Sequence, residues 1–416
     1  MSKKITNYLF IFSLFIFVFG IGFKLGEYKT SKNIIPRNQY NVVNFKQSEK
    51  LKDVDFNLFW DTWNKIEEKF IDKKKLDPKK MFYGAIKGMV ASLEDPYTFF
   101  LTPEENKQSK NDLEGKFEGI GAQLGLKDNR VIVVAPLKDS PAEKAGVKAG
   151  DFINKVDGKE TKDWSLTYAV SKIRGPKGTK VILTLQRDKK EFDISITRDE
   201  IKVKSVELSY EKKKDCQKDC LLVAYAKINQ FGDNTNDEWD KAVFEIKNQW
   251  QKKQIKGLIL DLRDNPGGYL ESAVYLASDF LSFGAMVVKQ ESTTGFDQQY
   301  KVIRQANLIG IPLVILINKG SASASEILAG ALRDHKKATL VGEKTFGKGS
   351  VQEALDLKEG AGLHVTVAKW ILPNGDWINS KGIEPQIEIE NIIKEGDTLT
   401  RENDQQLEKA IEILLK

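Results

Sequence analysis

Three serines alternate with alanines at Ser321, Ser323 and Ser325, and a glycine-flanked lysine, Gly347-Lys348-Gly349, lies downstream of them. The apolar run PLVILIN, residues 312–318, reads as a buried strand of parallel type. It hands the serine cluster to a helical pattern starting near Glu326. A strand that delivers a serine to a helix N-terminus is a recurrent way of exposing a nucleophile. Ala322 and Ala324 are small enough to let a substrate carbonyl approach the backbone. The chemistry this suggests is a serine nucleophile activated by a lysine base. Such a base must be neutral, so burial has to lower its pKa from about 10.4. Phe346 and the flanking glycines suit a partly dry niche for it. The chain has two histidines. His335 lies roughly 18 Å from Ser323 along one predicted helix at 1.5 Å per residue. His364 falls in the strand pattern LHVTVA and reads as a packed or edge residue. A Ser-His-Asp arrangement is therefore disfavoured.

The elements that must position these residues alternate. LLVAYAKI, KGLILDLR, AMVVKQES, PLVILIN, ATLVG and HVTVAKWILP are strand candidates, with helical patterns at 236–252 and 270–283 between the first few. The alternation predicts an α/β layered core with substantial parallel pairing. A C-terminal amphipathic helix follows in LTRENDQQLEKAIEILL, opened by a Thr/Glu capping pattern near Thr400. Residues 113–200 alternate short strands with glycine turns, and SPAEKAG gives a short helix with Ser140 as N-cap and Pro141 at its first position. Ahead of them, 56–70 and the run from Asp77-Pro78 to the breaker Asp95-Pro96 read as two amphipathic helices. Their apolar faces suit packing on the core or pairing of two copies through the terminal helices.

The whole-chain properties set the setting. At 416 residues, 41% hydrophobic and 30% charged, the chain has room for several cores and needs no large disordered part. The net charge of +6 is scattered, and short lysine clusters without a nucleic-acid module argue against a nucleic-acid partner. After Lys3 and Lys4, residues 5–23 carry no charge. As a helix they would span roughly 28 Å, near the hydrocarbon thickness of a bilayer. No A-x-A-like cleavage site follows, so an uncleaved single-pass anchor is expected, with a short cytoplasmic tail and the body on the extracytoplasmic side. Cys216 and Cys220 have no metal-site partners and read as a small local disulfide in a hairpin turn.

GAIKGMVASLEDPYTFF, DLRDNPGG, GSASASE, TFGKG-x-VQ and NGDWINSKGIEP occur in that order. Together they resemble the carboxyl-terminal processing, or tail-specific, proteases of the serine-lysine type, peptidase family S41. The segment FEGIGAQLGL with SPAEKAG-x-x-x-GD resembles a PDZ domain in the permuted form of bacterial proteases. The resemblance implies a layered crotonase/ClpP-like α/β core with an inserted β-rich PDZ-like domain. The implied domains are a tail at 1–4, an anchor at 5–23, a linker at 24–50, a helical region at 51–112, the PDZ domain at 113–200, the protease core at 201–392 and the C-terminal helix at 393–416.

The same resemblance implies Ser323 as nucleophile, Lys348 as general base and Gln352 as the residue that positions the amine. The Ala324 amide is then the first oxyanion donor, directly after the nucleophile at a helix start. The second is expected from Gly267 or Gly268; Pro266 has no amide hydrogen. Gly119, Ile120, Gly121 and Ala122 would form the loop that holds a substrate's terminal carboxylate. Arg174 is a candidate for coupling peptide arrival to the core. Asp334 stands at an often acidic position, and Arg263 and Asp264 either position substrate or pair with each other. Where the family usually ends in Gly-Ile-x-Pro-Asp, this chain has Gln386. No metal or organic cofactor is implied, and the expected partners are proteins and peptides with exposed apolar C-termini. Two readings compete with an active protease: an inactive PDZ adaptor, and an acyl-CoA enzyme of the crotonase type.

Overall fold

The apolar runs of the second half build a six-stranded sheet in the order Val206–Glu211, Leu222–Ile228, Ile255–Asp261, Leu313–Ile317, Thr339–Gly342 and Ile387–Glu388. The first pair is antiparallel and the others are parallel. In this computed structural model, residues 54–416 are described except 129, 138, 293–294, 296 and 392–398. Every residue of Leu313–Ile317 is buried, as a central strand covered on both faces requires. On one face the helices Thr235–Gln251, Leu270–Ala277 and Ala324–Asp334 bring Trp239, Ile246, Leu276 and Leu328 into the main core. On the other, Leu407, Ala410 and Ile411 of the helix Gln405–Leu414 pack on Val223, Ile259, Val314 and Val341. The layered α/β core is thus present, and the C-terminal helix is one of its layers. Its apolar face is occupied within the chain, so it is not free to pair two copies. Asp404, accepting from Leu407 N–H at 2.9 Å, caps this helix rather than Thr400.

AMVVKQES and HVTVAKWILP do not join the parallel sheet. They form an antiparallel one, in which Phe99–Leu101, Gly362–Ile371, Met286–Ser292 and Gln298–Lys301 are neighbours and Ser350–Asp356 also pairs with Gly362–Ile371. Only a short turn separates Ser350–Asp356 from Gly362–Ile371, and parallel pairing needs a long crossover. This second sheet carries the residues that follow Lys348.

The PDZ-like region has its own antiparallel sheet, ordered Ala122–Lys127, Arg130–Pro136, Phe152–Val156, Lys180–Arg187 and Lys190–Thr197. Val131, Val133, Ile153, Leu183 and Leu185 form its separate core. Ser140 caps Pro141–Lys144 by accepting from Glu143 N–H, as the sequence predicts. Lys116–Gly119 and Asp199–Lys202 pair where the chain enters and leaves this region. Ala122–Lys127 stands at the sheet's edge, open to one more strand.

The described residues through Pro78 belong to a unit of their own. In it the helix Phe56–Lys69 is capped by Asp55 and leaves Phe56, Leu58 and Ile66 exposed. The run 5–23 lies outside the described residues; among the described residues no helix is long and apolar enough to cross a membrane. The helix Pro78–Ala91 ends before Asp95-Pro96. A further helix, Pro103–Leu113, was not expected, although Thr102 and Glu105 spell its capping box. Cys216 and Cys220 are bonded to each other in the turn before Leu222–Ile228.

Arg263 neither faces substrate nor pairs with Asp264. Its side chain is buried at 6% exposure, bonds Asp261 at 2.6 Å and Asp404 at 2.8 Å, and also donates to Gln406. Burial alone would push Asp404 up, but Arg263 holds its carboxyl below the usual range. Asp264 instead accepts from Asn318 Nδ2. Arg263→Ala leaves two buried carboxylates without their cation, and a loss of about 3–5 kcal/mol is expected. A chemical-denaturation midpoint equal to that of the parent protein would contradict this assignment.

Candidate active site

The turn after Leu313–Ile317 separates the three serines physically. Ser321 Oγ donates to Leu262 O at 2.8 Å, and Ser325 Oγ donates to Asn265 O at 3.0 Å. Both are fully buried. Ser323 opens on a cavity of about 850 Å3, which Ala324, Gly267, Gly268, Lys348 and Gln352 also line. Its backbone is held at φ 55° and ψ −115°, a conformation sparsely populated for a residue with a Cβ. The helix Ala324–Asp334 begins immediately afterwards.

What holds that backbone is a residue whose role the sequence reading missed. Glu326 is fully buried and its carboxylate accepts four bonds, from Ser323 N–H at 2.9 Å, Thr345 Oγ1 at 2.5 Å, Gly347 N–H at 2.8 Å and Lys348 N–H at 2.9 Å. The nucleophile turn and the lysine loop are therefore joined through one side chain. Phe346 N–H adds a bond to Ser321 O at 3.1 Å. The available signal was a glutamate three residues after Ser323, the spacing of a capping box. The lysine loop rests on the last motif of the chain: a Cβ at Gly349 would meet Asn379 N at 2.3 Å, and Ser380 N–H donates to Gly347 O.

Lys348 is half-buried, and burial lowers its pKa while the charge of Glu326 partly opposes that shift. Phe346 does not supply the dryness, since its ring is 58% exposed. The ring that does meet the amine is Tyr97, whose centroid is 5.3 Å from Nζ. Gln352 lies on the same cavity, but its Nε2 donates to Ser350 Oγ at 2.8 Å and Thr366 Oγ1 at 3.2 Å. Among the described residues no hydrogen bond joins Lys348 Nζ to Gln352 or to Ser323, as is common in sites without substrate. His335 caps the far end of the helix and meets Met286 O. His364 stacks on Phe99 at 4.7 Å and also faces the cavity, which its strand pattern alone did not reveal. Burial and nearby Lys348 hold its pKa below the usual value.

Asn265 organises the other wall. It is fully buried; its Oδ1 accepts from Gly267 N–H at 2.9 Å, its Nδ2 donates to Ile228 O, and its carbonyl accepts Ala322 N–H and Ser325 Oγ. The Gly267 amide is thus turned into the loop, and of the two glycines Gly268 is the one whose N–H keeps no partner among the described residues. Gly267 contributes close approach, at φ +99° against Ser323 and Ala324. Ala324 opens its helix, so its N–H has no intrahelical acceptor.

Gly119, Ile120, Gly121 and Ala122 lie at the entrance to the edge strand, with Gly121 at φ +72° where a Cβ would strike Ser140. Arg174 covers the Phe117 ring at 4.7 Å and reaches Asp112 at 3.4 Å, and Asp112 lines the cavity. Burial raises the Asp112 pKa, with Arg174 opposing it. Asp334 pairs with Arg333 at the end of its helix and accepts Asn374 N–H. Gln386 bonds Leu340 in both directions at the edge of the parallel sheet.

Fold and site together are those of a serine-type peptidase with a PDZ domain. The profile of Peptidase family S41 matches residues 222–389, a PDZ domain profile matches 132–187, and the profile of the activating protease CtpB N-terminal domain matches 19–105. The chain belongs to the carboxy-terminal processing proteases of peptidase family S41. It is 41% identical over 318 residues to the carboxy-terminal processing protease CtpA of Bacillus subtilis, an alignment covering 76% of this chain and 66% of that one. With CtpB of the same organism it shares 37% over 345 residues, 82% of this chain and 69% of the relative. With a CtpA-like serine protease of Staphylococcus aureus it shares 39% over 389 residues, 90% and 74% of the two chains. The solved photosystem II D1 C-terminal processing protease superposes with a TM-score of 0.51 at 30% identity, covering 80% of this chain and 92% of that one. These matches set aside the acyl-CoA reading.

Gly267→Ala tests the wall of the cavity. The added Cβ would lie 2.7 Å from Ala322 O and 2.8 Å from Ser323 Cβ. A fall in kcat of about 100-fold or more is expected, with tail-peptide binding retained, because small displacements of a reacting group carry that cost. Wild-type kcat in a folded Gly267→Ala protein would refute the packing argument.

Proposed function

We propose that the chain is an endopeptidase, anchored by residues 5–23 with its body outside the cytoplasm, that engages exposed apolar C-termini through its PDZ domain and cleaves with a Ser323–Lys348 dyad. The observation that carries this reading is that Ser323 and Lys348 open on one cavity while Glu326 fixes both backbones. Lys348 accepts the Ser323 hydroxyl proton as Oγ attacks the scissile carbonyl. The resulting oxyanion is held by the N–H groups of Ala324 and Gly268. The lysine ammonium then gives its proton to the departing amine, leaving an acyl-enzyme. Water, deprotonated by the same lysine, hydrolyses the ester and restores both groups. Gln352 turns from Ser350 and Thr366 to steady the amine when substrate fills the cavity.

The tail adds as a strand to the edge Ala122–Lys127, its carboxylate meeting the amides of Gly119–Ala122. Arg174 reports that arrival to the cleft, a role supported by its pairing with Asp112. The exposed apolar side chains of Phe56–Lys69 are the part of the chain suited to pairing two copies.

Cleavage of a denatured protein with an apolar C-terminus tests the reading. Ser323→Ala and Lys348→Ala should each lose about 10^3-fold or more of kcat/KM, the scale seen when one member of a catalytic unit is removed. His364→Ala should keep most of the activity. Because only the neutral amine can accept a proton, kcat/KM should rise with pH through an inflection below the ordinary lysine value. Cleavage surviving both substitutions would remove the dyad, and absence of cleavage by the parent protein would favour the adaptor.

A further inference from the structure

We infer that Tyr97 is a positioning residue for the lysine base, its ring face fixing the Lys348 amine and shielding it from water. This rests on the Ser323–Lys348 reading above. The observation is the ring placed over Nζ at 5.3 Å, within the range of a cation–π contact. Tyr97 comes from the loop between Pro78–Ala91 and Phe99–Leu101, far in sequence from the serine and lysine loops.

That loop is braced as a site loop would be. Asp95 Oδ1 accepts Tyr97 N–H at 3.1 Å and Asp95 Oδ2 accepts Thr98 Oγ1 at 2.6 Å. Thr98 Oγ1 in turn accepts Thr366 N–H at 3.0 Å, and Thr366 Oγ1 accepts from Gln352 Nε2 at 3.2 Å. Thr98 and Phe100 are buried on either side of the exposed Phe99 ring. The tyrosine is therefore tied to the strand that opposes Gln352, so ring, amine and glutamine share one frame.

The ring does two things with opposite effects on the amine's proton affinity. As apolar bulk it keeps water off one side of Nζ, which favours the neutral base. As a π face it attracts the ammonium that forms when the serine proton arrives, which favours the charged product of that step. The ionisable groups around Lys348 are Glu326 beneath its loop, His364 on the strand Gly362–Ile371, Tyr97 itself with Asp95 behind it, and the carboxylates Glu105, Asp112, Glu271 and Glu353 on the cavity wall. Replacing Tyr97 alters neither the number nor the sign of the other charges at neutral pH.

The test is the pH dependence of kcat for full-length protein, with covalent labelling of Ser323 by a fluorophosphonate as a second readout. Tyr97→Phe keeps the face and should stay within about threefold of the parent rate, with the rising limb in place. Tyr97→Leu keeps bulk without the π face and should move the limb to lower pH. Tyr97→Ala admits water and should move it to higher pH. KM for a tail-bearing substrate should be unchanged in all three. A limb that stays at the parent position in both Tyr97→Leu and Tyr97→Ala would overturn the inference, whatever happens to kcat, since a merely structural role lowers the rate without moving the limb. Lys348→Ala, assayed alongside, separates the two levels. If it still labels and cleaves, the dyad reading fails; if it is inactive while the Tyr97 limbs do not move, only this inference fails.

Discussion

A carboxylate with no exposure to water sits between the two halves of the catalytic machinery, and the rest of the site depends on it. Glu326 takes donors from the residue before its own helix and from three of the four residues 345–348 of the lysine loop, all but Phe346. A buried charge is tolerated when its lone pairs are filled, and the cost of leaving any one of these donors unpaired is what holds both loops in register. The strained Ser323 backbone is the counterpart of that clamp, since a left-handed serine persists only where its surroundings over-determine it.

The same logic extends outward. Asn265 does for the glycine loop what Glu326 does for the lysine loop, filling the Gly267 N–H and the Ile228 carbonyl so that the next amide is left over. The flanking serines tie the nucleophile turn to Leu262 and Asn265. Arg263, one strand end away, locks the base of this assembly to the C-terminal helix. The amine's environment is thus a balance: burial lowers its proton affinity and the Glu326 charge opposes that. Positioning and tuning come from one carboxylate.

Much of this was legible from residue order. The parallel sheet was readable because continuous apolar runs such as VILI cannot be half-exposed, and the serine turn because a strand ended in small residues before a helix. The separate antiparallel sheet was not readable, since AMVVKQES and HVTVAKWILP carry strand propensity but no mark of partner or direction. Choosing among Ser321, Ser323 and Ser325 required the family resemblance; in three dimensions burial alone makes the distinction. Glu326, Asn265 and Tyr97 escaped because each acts through contacts with segments distant in sequence, and locally they look like a cap, a turn residue and a loop aromatic. Phe346 misled for the complementary reason: it stands two residues before Lys348 in sequence, yet its side chain is exposed to solvent.

The clamp is tested most directly by the pH dependence of Ser323 labelling by a fluorophosphonate in Glu326→Gln beside the parent protein. The amide keeps the side chain's shape but removes the charge that raises the lysine's proton affinity and one of its acceptor oxygens. The account predicts slower labelling overall, with the rising limb displaced to lower pH. Labelling at the parent rate with an unmoved limb would contradict it.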